Sequence, residues 1–195
     1  MKKRILFAVI FLAFALQLNA QNKELLDINT STSAIKWSCD YAFYFGGHEG
    51  NINFKEGYFI KDPNGTITGG KFIIDMNTIR STDMDEEEAR VSLDDHLKNE
   101  DFFDVPKFPT AKLEITKVKY HDSNHMKIFA DLTIKGETVA INFQAEVDYE
   151  NKELKTRFKI DRTRWGITYN SKEVEGKLKD GLISDAIGFE VAIKL

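Results

Sequence analysis

A chain of 195 residues with a formal net charge of −4 holds enough material for one domain with a sizeable core. Its mildly acidic balance argues against phosphate backbones or anionic membrane surfaces as partners. A single cysteine, Cys39, excludes an internal disulfide, so stability must come from packing.

The first element reads as an export signal. Lys2, Lys3 and Arg4 precede an unbroken apolar run of 12 residues over positions 5–16, and Leu18-Asn19-Ala20 before Gln21 forms a cleavage site. A run of that length is too short to cross a bilayer comfortably, which takes about 20 residues, and the alternative to a cleaved signal is an uncleaved anchor. The expectation is a cleaved signal peptide over residues 1–20 and one mature domain over 21–195, periplasmic or secreted, with no stable membrane anchor. Cleavage removes three positive charges and takes the formal charge from −4 to −7. Cys39 follows Lys36-Trp37-Ser38, which lacks the small apolar context of an acylated cysteine.

Alternation with a period of two dominates the mature chain and predicts half-buried strands. Ile35, Trp37, Cys39, Tyr41, Phe43 and Phe45 fall on one face of the first strand. Ile52 and Phe54 follow, with a bulge or turn at Glu56-Gly57, then a Pro63-Asn64-Gly65 turn and a strand through Phe72, Ile74 and Met76. Residues 81–104 break the pattern. Ser81, Thr82 and Asp83 are candidate N-caps for one or two short helices, and seven of the residues 83–95 are acidic against one Arg90.

Alternation resumes at Ala111, Leu113 and Ile115, turns at residues 121–124, and continues through Met126, Ile128, Ala130, Leu132 and Ile134. Val139, Ile141, Phe143, Ala145 and Val147 follow, then Leu154, Thr156, Phe158 and Ile160. The last strand carries Ile187, Phe189, Val191 and Ile193. About eight strands joined by short turns predict an all-β antiparallel barrel, whose closure removes exposed edges. The helical insert near 81–104 would cover one end.

Two runs, 35–45 and 139–149, have 11 residues each, or about 36 Å of strand. Eight strands enclose either a packed interior or room for one small ligand. The inward residues are almost wholly apolar, so an interior ligand would be apolar too; the 15 Phe could equally fill the space. Composition alone leaves both readings open.

Three segments, taken in order, narrow the choice. They are Asp94-Asp95-His96-Leu97 with Phe102-Phe103, Ala130-Asp131-Leu132-Thr133-Ile134-Lys135-Gly136, and Ile160-Asp161-Arg162-Thr163-Arg164-Trp165-Gly166-Ile167. Together they resemble the YceI-like family of exported, lipocalin-like barrels that bind polyisoprenoid lipids. The resemblance covers nearly all of the chain after residue 30. It implies a ligand cavity walled by Trp37, Tyr41, Phe43, Ile128, Ile141, Phe143, Phe158 and Trp165. It also implies an insert organised by Asp94, His96, Leu97, Phe102 and Phe103, whose aromatics pack onto the barrel. Arg162 and Arg164 bracket the Trp-Gly element and are the candidates for a headgroup contact. Leu93 stands where the family pattern often carries an Arg before the first Asp.

A polyisoprenoid suits such a tunnel energetically. At ~0.8 kcal/mol per methylene, a tail of about 40 carbons has a gross transfer free energy near 30 kcal/mol. This exceeds the ~20 kcal/mol ceiling of non-covalent binding, so chain ordering must offset much of it. The expected partner is a polyisoprenoid or other long apolar lipid, with no nucleic acid and no cofactor; the oligomeric state, homodimer included, stays open.

Two rival readings remain. His96 beside acidic neighbours could serve an enzyme acting on a small apolar substrate at the barrel mouth, although the expectation is a non-enzymatic protein with no catalytic residue. A fully packed barrel would be an interaction module without ligand. His48, His121 and His125 show no metal-ligand spacing, and no phosphate-binding or nucleophile-elbow motif occurs.

Overall fold

The computed structural model describes residues 23–43, 45–171 and 182–195; the expected signal peptide lies outside them. Among the described residues nine strands form one antiparallel sheet: β1 (Glu24–Asp27), β2 (Ala34–Tyr41), β3 (Gly47–Lys61), β4 (Ile67–Ser81), β5 (Thr110–Tyr120), β6 (His125–Ile134), β7 (Glu137–Asp148), β8 (Glu153–Asp161) and β9 (Ile183–Lys194). From β2 onward each strand pairs with the next, and β2 pairs with β9. Eight strands therefore close into a barrel. β1 is an addition that the period-two reading did not contain: four residues paired with the far half of β3.

Inward positions are those the alternation marks. In β6, Met126, Ile128, Ala130, Leu132 and Ile134 are buried while their neighbours are half-exposed or exposed. The bulge expected near Glu56 is a register slip between Phe54 and Glu56, and β3 continues beyond it to Lys61. Gly50 is required by packing. A Cβ there would run into the backbone oxygen of Arg80 on β4 and stand 2.6 Å from Cζ2 of Trp37, so glycine lets both the neighbouring strand and the indole lie close.

One stretch departs from the alternation. The first strand was expected to run to Phe45, yet β2 ends at Tyr41, after a register slip against β9 between Cys39 and Tyr41. The Tyr41 N–H donates to Gly46 O and the Ala42 N–H to Leu182 O. The chain therefore turns out of the ladder, and Phe43 and Phe45 are exposed.

The insert between β4 and β5 holds one helix, α1 (Glu87–Lys98). Its N-cap is Glu86, without a side-chain capping bond, rather than Ser81, Thr82 or Asp83. A series of turns follows over residues 99–108, tied by the Phe103 N–H to Leu97 O and the Val105 N–H to Lys98 O. Leu97, Phe102, Phe103 and Val105 are buried as a result, and the insert plugs one barrel end. The opposite end is filled by Phe59, Ile67, Met126, Val147 and Leu154, each at most 2% exposed.

Candidate functional site

Between these two plugs lies a cavity of about 150 Å³, bounded by residues of all eight barrel strands and of the insert. Its wall exposes only apolar atoms. A dry apolar cavity of this size, about 150 Å³, holds a benzene-sized group. Anything longer must displace side chains.

Four of the expected wall residues line it: Trp37, Ile128, Phe143 and Phe158. Phe143 stacks on Phe158 with ring centroids 4.5 Å apart and 14° between planes, and Phe158 contacts Phe189 at 5.4 Å. The other four do not line it. Tyr41, the last residue of β2 after its register slip, and Phe43 beyond it are 39% and 59% exposed. Ile141 is half-buried and packs against the core beside the cavity. Trp165 is buried away from the cavity, with its indole N–H donating to Leu132 O at 3.0 Å.

The insert residues divide in the same way. Leu97, Phe102 and Phe103 face the cavity. Asp94 acts as a staple between helix and sheet. One carboxylate oxygen accepts the buried Ser81 N–H at 2.7 Å, and the other accepts from Arg90 at 3.2 Å. Arg90, one helical turn before Asp94, thus supplies the cationic partner although Leu93 occupies the position before it. His96 turns away from Asp94 and Asp95, because adjacent helical positions do not face one another. Its Nε2 lies 3.1 Å from Asp101 Oδ2, and its ring meets the edges of Phe102 and Tyr169 at 5.0 and 4.8 Å.

Arg162 and Arg164 sit in a 3-10 turn, Arg162–Trp165, that follows β8. Arg162 is 1% exposed and borders the cavity, but its guanidinium is committed elsewhere. Nε donates to Ser184 O, Nη1 to Ile167 O and Nη2 to Ile183 O, at 3.1, 3.0 and 3.3 Å, and Asp185 lies 3.5 Å away. Burial lowers its pKa from the ordinary guanidinium value, although the group remains charged. Arg164 points to the outer face, 3.3 Å from Ala140 O.

Cys39 also borders the cavity, with its thiol directed at Ser184 O at 3.6 Å. Burial pushes the thiol pKa up to about 11, partly opposed by the Arg162 charge. It is a poor nucleophile at neutral pH. Sequence reasoning had not assigned Phe189 or Ile187 to the cavity wall, although the alternation of the last strand already marked them as inward. Nor had it found the Asp185 partner of Arg162, for which no local pattern exists.

Comparison with known proteins places this architecture. Residues 26–195 match the model of the YceI-like domain. A UPF0312 protein of Vibrio vulnificus is 33% identical over 120 residues, 56% of this chain. The chain spans 63% of the length of that relative. A UPF0312 protein of Vibrio parahaemolyticus is 30% identical over 75% of this chain and 74% of its own. Among solved structures, BcnA of Burkholderia cenocepacia superposes with a TM-score of 0.66 at 17% identity, covering 86% of this chain and 98% of its own. The YCEI protein of Campylobacter jejuni gives 0.53 at 20% identity, over 72% and 82%. The structural likenesses speak for the fold alone, whereas the domain match spans every barrel strand: this chain belongs to the YceI-like family.

Proposed function

We propose that this chain is an exported lipid-binding protein that holds a polyisoprenoid or similar long apolar lipid inside its barrel. One observation carries the reading: a cavity reached by all eight strands and by the insert, whose wall exposes no polar atom among the described residues. Such a wall favours hydrocarbon and disfavours any group that needs hydrogen bonds. A long tail has to part side chains that are now in contact. Phe143, Phe158 and Phe189, which line the cavity in contact with one another, are the ones placed to yield.

The carrier reading is favoured over an enzymatic one because His96 is paired with Asp101 outside the cavity wall. Cys39, the thiol that does border the cavity, is held protonated. Export itself rests on the signal-like start of the chain.

Native mass spectrometry of the protein purified from an exporting host tests the proposal. The expected species is the mature chain, beginning at or near Gln21, with a copurifying apolar lipid that organic solvent extracts. Protein that emerges bare and also refuses added isoprenoid alcohols would rule the carrier out. Intact Met1-Lys2 on the exported protein would overturn the cleaved signal.

A further inference from the structure

The barrel ladder is weakest along one line. Neighbouring strands of the barrel share six to ten register pairs, except β7 and β8, which share four. Their pairing stops at Ala145 opposite Thr156. β7 stays laddered to β6 from Glu137 onward, and β8 stays laddered to β9 as far as Asp161. Continuing the register would set Gln144 against Arg157 and Asn142 against Lys159, but neither pair forms.

Side chains close the fork instead. The Thr156 hydroxyl donates to Gln144 O at 2.6 Å, and Arg164 donates to Ala140 O at 3.3 Å. On the inside, the stacked rings of Phe143 and Phe158 shut the gap. On the outside runs a groove lined by Gln144, Lys155, Arg157 and Glu190, and it shares Thr156 and Val191 with the cavity wall.

We infer that this seam is a side gate through which an apolar ligand passes into and out of the cavity, with Phe143 and Phe158 as its leaves. The inference rests on the proposed binding of a lipid in the cavity. Opening here breaks no β7–β8 backbone ladder bond; among the described residues it parts the Thr156 and Arg164 hydrogen bonds and the ring contacts of Phe158 with Phe143 and Phe189. Passage through either end must instead displace a plug. At one end Leu97, Phe102 and Phe103 are held by the turns after α1, and at the other Met126 and Val147 are wholly buried. The seam is also where the wall is held by packing rather than by cooperative hydrogen bonding, so it opens at least local cost.

A disulfide across the seam tests this. Gln144→Cys with Arg157→Cys, in a Cys39→Ser background, places both thiols on the exposed outer face, clear of the cavity. Glu146→Cys with Lys155→Cys, a pair already in register, is the control. The probe is diphenylhexatriene, which fluoresces when it leaves water. Oxidation of the seam pair is expected to slow probe uptake and release by about tenfold or more, reversibly with reductant, while the equilibrium affinity changes little and the control pair has no effect. Phe158→Ala provides the converse and needs no cross-link. It should accelerate uptake as well as release, which a mere loss of wall contact would not do. Unchanged rates in the oxidised seam variant, or unaltered uptake in Phe158→Ala, overturn the gate yet leave cavity binding intact. If the unmodified protein takes up no probe at all, the gate and the carrier reading fall together.

Discussion

Arg162 shows how a motif residue can be read correctly as important and wrongly as a contact. Its guanidinium reaches three backbone carbonyls and Asp185, so its work is to tie the turn after β8 to the start of β9. Arg162→Met should leave those acceptors and a buried carboxylate without their donor. The expected cost is ~3–5 kcal/mol, the usual consequence of breaking a buried ion pair, seen as a lower urea midpoint. A variant of full stability that had lost lipid affinity would restore the headgroup role. Cys39 makes a second prediction at this scale. Its folded pKa, about 11, lies above the ordinary value of 9.0, so the fold disfavours the thiolate. The stability this thiol contributes is therefore complete below pH 9 and is lost as pH rises towards 11. Stability curves of the parent and of Cys39→Ala should diverge across that window only, and alkylation of the native thiol at pH 8 should be far slower than in urea. Neither role was legible in the sequence. Arg162 and Asp185 stand 23 positions apart, and the burial that shifts Cys39 depends on the barrel closing over it.

At the level of the element, a strand's faces could be read wherever it stays laddered to at least one neighbour, as β7 does to β6. β7 is the clear case: Phe143, Ala145 and Val147 are buried and Asn142, Gln144 and Glu146 exposed. Phe143→Asp should therefore place an unpaired charge in an apolar wall, costing several kcal/mol or holding the group protonated. Asn142→Asp should cost little. Equal tolerance of the two changes in thermal melts would refute the inward assignment. The same rule failed for Tyr41 and Phe43, because alternation names a face only while the register holds, and here it slips between Cys39 and Tyr41, where β2 ends. The insert obeys different physics. Its position depends on Asp94, which satisfies a buried backbone N–H of Ser81. Asp94→Ala should cost ~1–3 kcal/mol for the orphaned donor and should loosen α1 ahead of the barrel. Hydrogen exchange is the readout: faster exchange in α1 with β6 and β7 unchanged is expected, whereas uniform acceleration would mean that the helix and the barrel unfold together.

For the whole molecule, consecutive antiparallel pairing made the architecture readable, since a meander of alternating strands with short turns has few other ways to hide its edges. The closing contacts were not readable. β2 meets β9 across some 150 residues of chain, and β1 adds to β3 through four pairs. Both are long-range pairings with no local signature. The contrast between an apolar interior and a charged outer face was predictable from period two alone. Whether space remained inside was not, because cavity volume depends on how side chains of every strand fit together. The position of a bound lipid decides whether the barrel is a carrier. Photoaffinity labelling with an isoprenoid alcohol carrying a diazirine on its tail, followed by peptide mapping, reports that directly. Labels should fall on cavity residues such as Trp37, Phe143 and Phe158, and an excess of unlabelled isoprenoid should abolish them. Labels confined to outward positions such as Asn142 and Lys159, or labelling that competitor leaves untouched, would contradict a lipid held inside the barrel.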